Sequence, residues 1–169
     1  MASTNPISMP RGRQALGLLG WLALCYGAAA LGGLFTASSV QDWYPSLARP
    51  AWTPPSWLFG PVWTVLYGLM AVAAWLVWRG RGWGGARGPL GLFLLQLVLN
   101  VLWSLVFFGL RLPGAAFAEI VLLWLAILVT MIAFWRIRGL AGGLLLPYLL
   151  WVSFAAALNF ALWRMNLGS

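Results

Sequence analysis

Gln96, Asn100, Trp103 and Phe107 recur at steps of four, three and four residues, which puts two amides and two aromatic rings on one face of a helix. An amide supplies donors and an acceptor, and an aromatic ring supplies a flat apolar face. The stripe therefore suits a planar ligand carrying a few polar groups. Trp63 and Tyr67 repeat the pattern, and Pro147, Trp151, Ala155, Leu158 and Asn159 make a third stripe. Trp63, Trp103, Trp124 and Trp151 all lie inside apolar stretches, where an indole N–H needs a partner or a ligand. Lining an internal slot and plain helix packing are both open for these four. Gln96, Asn100 and Asn159 have a second reading as glue between helices, at about 0.6–2 kcal/mol per bond. Glu119 is the one acid within an apolar stretch, so it is a proton site or the structural partner of an arginine or an amide, with Arg111 about two turns away. Pro147 removes a helical hydrogen bond and frees a carbonyl near Gly143, which predicts a kink beside a cavity. There is no His, and Cys25 is the sole cysteine, so neither a disulfide nor a Cys/His metal site can be assembled.

The elements that position these residues are set by composition. The chain is 63% hydrophobic and 7% charged, against roughly 45–50% and 25% in a soluble domain. Its apolar residues fall into blocks of a length that matches a hydrocarbon core of about 30 Å. Five spans follow, at about 15–37, 57–78, 88–110, 112–135 and 139–163, within one domain covering 15–166. The links after the second, third and fourth spans are short and arginine-rich, which forces antiparallel neighbours and a compact bundle. The first link, 38–56, is long and carries four prolines and three Trp or Tyr residues. Prolines pre-set its backbone, so it reads as a folded lid over one mouth of the bundle. The first apolar run is too long for a cleavable signal, and residues 1–14 read as a loose polar tail.

All ten cations are arginines, against Asp42 and Glu119, for a formal charge of +8. They stand at the ends of apolar blocks and not on one face, so nucleic acid is excluded as a partner and lipid headgroups are expected. Seven lie on the side of the N-terminus and three (Arg49, Arg111, Arg164) on the other, which predicts a cytoplasmic N-terminus in a bacterial cell membrane. Those three arginines share the lid side, where they are candidates to pair ligand carboxylates. Trp43, Trp52, Trp57, Trp75, Trp78, Trp83, Trp135 and Trp163 suit an aromatic belt. Gly114 and Ala118 form a small-xxx-small pair that permits close helix approach.

Five ordered motifs resemble the translocator protein family, also called the TspO/MBR or peripheral-type benzodiazepine receptor family, over about 15–166. They are Asp42-Trp43-Tyr44 with Arg49-Pro50 and Trp52-Thr53-Pro54-Pro55; Trp63 with Tyr67; Gln96, Asn100, Trp103 and Ser104 leading to Phe107-Phe108-Gly109; Pro147-Tyr148 with Trp151; and Leu158-Asn159 with Trp163-Arg164. The resemblance implies a five-helix bundle, often a homodimer, whose long loop closes a pocket for protoporphyrin-like tetrapyrroles and benzodiazepine-site drugs. It implies a ligand set of Tyr44, Pro54, Pro55, Trp63, Gln96, Asn100, Trp151 and Ala155, to which the stripes add Tyr67 and Trp103. Some bacterial members promote light-dependent porphyrin breakdown, and here Trp63 and Trp151 would be the redox-active partners. A further role open to the family fold is proton-linked transport through Glu119. No obligatory cofactor is expected, and without His the favoured ligand is a metal-free tetrapyrrole. The family's proposed cholesterol motif wants Tyr where Phe160 stands between Leu158 and Arg164.

Overall fold

A bilayer core offers no hydrogen-bond partner to a bare peptide group, so an apolar chain crossing it must satisfy its backbone within helices. The computed structural model, which describes residues 9–167, is all-α in that way. Its helices are α1 (Arg11–Gln41), α2 (Phe59–Gly85), α3 (Arg87–Ser104), α4 (Pro113–Ile137), α5 (Gly139–Gly143) and α6 (Leu146–Met165). Five stretches are long and apolar enough to cross a membrane: Arg11–Ala37, Ser56–Gly85, Arg87–Gly109, Pro113–Ile137 and Gly139–Met165. The helices outrun the apolar blocks because a helix continues into the headgroup region wherever nothing breaks it. The expected tail 1–14 lies partly outside the described residues. From Met9 onward the chain is packed, since Gln14 Nε2 donates to Met9 O and Trp75 Nε1 donates to Gln14 O.

Neighbours close into a ring: α1 on α2, α2 on α5, the α5–α6 span on α4, α4 on α3, and α3 back on α1. The end remote from the long loop is solid. Met70, Leu90, Phe93, Ile127, Phe134 and Tyr148 are fully buried there, and the rings of Phe93 and Phe134 stack at 5.8 Å. A smaller cluster of Tyr44, Phe107, Ala116, Leu158 and Leu162 sits under the loop. Close packing at one end thus leaves any internal space at the lid end.

Three interruptions shape that end. At Leu105–Gly109 the third span widens into a π-turn, with Leu110 N–H donating to Leu105 O at 2.8 Å. Ser39 Oγ from α1 donates to Phe108 O at 2.6 Å, which fastens the top of α1 to this turn. Arg111 then reverses the chain with φ 57, a left-handed conformation that costs a non-glycine residue about 1–2 kcal/mol. Finally, the fifth span breaks between α5 and α6. Pro147 sits in the first turn of α6, where its missing N–H has no helical acceptor to lose. The expected mid-helix kink is therefore a break before the proline, and Pro147 faces outward.

Candidate ligand-binding site

Between α1, α2, α3 and α6, beneath the loop, lies a cavity of about 540 Å³, within the range of small-molecule sites. The interrupted helix builds one wall. Along an α-helix successive side chains diverge by about 100°, but the π-turn lets both Phe107 and Phe108 reach the cavity. Their rings stand 4.8 Å apart, and Trp103 stacks on Phe107 at 5.2 Å. The loop docks on the same pair, Trp43 against Phe107 at 5.6 Å and Tyr44 against Phe108 at 6.0 Å. On the opposite side an aromatic ladder runs Trp52, Phe154, Trp151, Phe59, with centroid steps of 5.8, 5.5 and 5.9 Å, and its last two rings line the cavity. The loop is thus held at both ends of the roof by ring contacts.

The floor is polar and its bonds are shared. Tyr67 Oη donates to Asn100 Oδ1, and Asn100 Nδ2 donates to Tyr148 Oη at 2.9 Å. Trp63 lies 5.6 Å from Tyr67 and 6.2 Å from Tyr148, centroid to centroid. Asn159 works as glue, accepting from Trp103 Nε1 at 3.1 Å and donating to Pro113 O at 2.7 Å, which ties α6 to α3 and α4. Of the three tryptophans in the wall, Trp103 has its N–H committed to Asn159. Among the described residues no protein acceptor takes the N–H of Trp63 or Trp151.

The cavity brings together Tyr44, Trp63, Tyr67, Asn100, Trp103, Trp151 and Ala155. Other expected positions fall elsewhere. Gln96 is 1% exposed but lies in the solid half, one turn below Asn100, with neither amide atom bonded among the described residues. Pro54 and Pro55 line a separate, shallow hollow on the loop's outer surface, together with Arg49. Arg49 sits 5.6 Å over the Tyr44 ring, while Arg111 and Arg164 are exposed and border neither hollow. Trp124 spends its N–H on Ser153 Oγ at 2.8 Å, away from the cavity. Glu119 is not paired with Arg111, since neither of its oxygens has a hydrogen-bond partner among the described residues. Burial pushes the Tyr44 phenol above its ordinary value, with Arg49 pulling the other way, so its hydroxyl stays a donor. That hydroxyl is buried in the cavity wall and, among the described residues, bonds no protein atom.

The wall on α1, made of Tyr26, Ala29, Gly32, Gly33 and Thr36, carries no signal that marks it in sequence. Small residues there look like ordinary helix-packing positions. Phe59 and Phe108 are likewise indistinguishable from belt or core phenylalanines until the loop and π-turn place them.

The sequence model of the TspO/MBR family matches residues 21–164. The chain belongs to the TspO/MBR family. Among TspO/MBR relatives, the tryptophan-rich protein TspO of Chlorobaculum tepidum is 44% identical over 156 residues, 91% of this chain and 98% of the relative. The translocator protein of Homo sapiens is 39% identical over 140 residues, 82% of this chain and 83% of its own. The tryptophan-rich sensory protein of Cereibacter sphaeroides is 40% identical over 148 residues, 88% of this chain and 90% of its own. With five membrane-length helices and this family, the chain is a multi-pass integral membrane protein.

Proposed function

We propose that this TspO/MBR protein binds a tetrapyrrole such as protoporphyrin, or a flat drug-like ligand, in the lid-capped cavity, and serves as a sensor or carrier of it. The supporting observation is the composition of the cavity wall. Three indoles, three phenols and three phenylalanines surround one largely apolar space, and its polar points include Asn100 and the Tyr44 hydroxyl, which bonds no protein atom among the described residues. Flat aromatic faces stack on a conjugated macrocycle, and a few polar groups fix its orientation. Arg49, which lies over the ring of the cavity-lining Tyr44, is a candidate to meet a ligand carboxylate at the edge of the site. Titration with protoporphyrin, followed by quenching of tryptophan fluorescence, tests this reading. Trp151→Ala should weaken the affinity, and unchanged affinity removes Trp151 from the site.

A second reading, light-dependent breakdown of the porphyrin, draws on the two uncommitted indoles. Trp63 and Trp151 line the cavity with N–H groups that no protein acceptor holds among the described residues, so both indoles would face an excited macrocycle bound there. Illumination of purified protein with porphyrin should then yield a defined product. Loss of porphyrin no faster than with free tryptophan counts against it.

A further inference from the structure

One wall of the cavity is also an outer surface of the bundle. Tyr26, Gly33 and Ala37 of α1 and Gly60 and Thr64 of α2 line the cavity, yet all five are exposed. Gly33 and Gly60 supply no side chain, and a Cβ at either would meet nothing within 4 Å, so open space remains between the two helices. The gap is bridged at its lower edge, where Tyr26 Oη donates to Thr64 O at 3.0 Å. Tyr26 lies near the middle of the first span and Ala37 at its end. The slot therefore runs about 16 Å along α1, half of a hydrocarbon core of about 30 Å, on the lid side.

The rim of this slot suits hydrocarbon. Thr36 and Thr64 turn their hydroxyls back onto Gly32 O and Gly60 O of their own helices, at 2.9 Å each. Within the cavity Tyr67 bonds Asn100, and the Trp103 N–H is held by Asn159, so entering water would find few partners. Aromatic walls around about 540 Å³ forfeit dispersion contacts unless something fills the space. At the depth of the slot a bilayer offers only acyl chains, which are narrow, flexible and apolar.

We infer that the cavity has a second occupant, the acyl chain of a membrane lipid in the lid-side leaflet, which enters sideways through the slot between α1 and α2. The chain fills the aromatic space when no planar ligand is bound and is expelled when one binds. Its occupancy rests on the slot, while the competition rests also on the cavity's being the tetrapyrrole site. Ligand affinity is then a difference between two occupants, and it depends on the surrounding lipid.

The test uses the whole protein in vesicles of phosphatidylcholine that carries a photoactivatable diazirine in one acyl chain, with the adducts mapped by mass spectrometry. Tyr67 and Phe107 line the cavity and are 4% and 2% exposed, so an adduct there requires a chain inside. Leu34 and Val65, on the outer surface, report ordinary lipid contact and correct for light absorbed by porphyrin. We expect adducts at both pairs, and loss of the Tyr67 and Phe107 adducts alone when protoporphyrin is added to saturation, judged by tryptophan quenching in the dark. Gly60→Phe, and separately Gly33→Phe, fills the slot where a new side chain meets no neighbour, and should remove the inner adducts while keeping the outer ones. Outer adducts without inner ones overturn the occupancy. Inner adducts that persist in both variants overturn the slot as the route, and inner adducts that survive saturating porphyrin overturn the competition. Inner adducts together with an absence of quenching overturn the tetrapyrrole reading and leave the lipid site standing.

Discussion

Asn166→Ala removes the side chain that fastens the long loop to the end of α6. Asn166 Oδ1 accepts from Ala48 N–H at 3.0 Å and its Nδ2 donates to Ala48 O at 3.0 Å, so one side chain pairs with the loop as a neighbouring strand would. A further bond from Nδ2 to Leu162 O at 2.8 Å fixes the amide on its own helix. Each such bond is worth about 0.5–1.5 kcal/mol net, and these are partly exposed, so losing both loop bonds costs the closed lid about 1–2 kcal/mol. That corresponds to about a 5- to 30-fold rise in the open fraction. Stopped-flow displacement of bound porphyrin should show dissociation accelerated by the same factor, with faster hydrogen exchange at the Ala48 amide. Asn166→Asp, which keeps an acceptor for the Ala48 N–H and loses the donors, should fall between. Dissociation at the wild-type rate in Asn166→Ala would refute the claim that this clamp holds the lid.

Two further substitutions probe the frame. Asn159→Ala deletes the junction of α6 with Trp103 and Pro113 and should lower stability by about 0.6–2 kcal/mol, read as a reduced thermal midpoint in detergent. Gly142→Ala would place a methyl carbon 2.8 Å from the Trp135 Cβ and 2.9 Å from its backbone Cα. Since backbone cannot step aside, about 1–3 kcal/mol should be lost in the same assay, and an unchanged midpoint would mean that the α4–α5 turn adjusts freely.

Much of the fold was legible because its determinants are one-dimensional. Apolar blocks of membrane length count the spans, and short arginine-rich links fix which spans are neighbours. The stripe on α3 was legible as a face, but helical periodicity reports direction and not where space remains. Asn100 and Gln96 share that face, yet one meets the cavity and the other lies a turn deeper, in the solid half. The prolines announced a stiff loop without saying which side faces inward, so Pro54 and Pro55 ended on its outer surface while Tyr44 faces the cavity. The π-turn that brings both Phe107 and Phe108 to the wall has no local sequence signature. The bonding of Trp124 to Ser153 depends on a helix contact that only the folded bundle defines.

The proposed function requires a ligand lying against Trp63, Trp151 and Ala155. Ala155→Trp puts an indole into that space and leaves the Asn166 side chain that clamps the lid unchanged. Equilibrium titration of this variant with protoporphyrin should show affinity reduced by at least about tenfold, equivalent to 1.4 kcal/mol, at an unchanged thermal midpoint. Affinity equal to that of the wild type, in protein that remains folded, would place the ligand elsewhere and contradict the assignment.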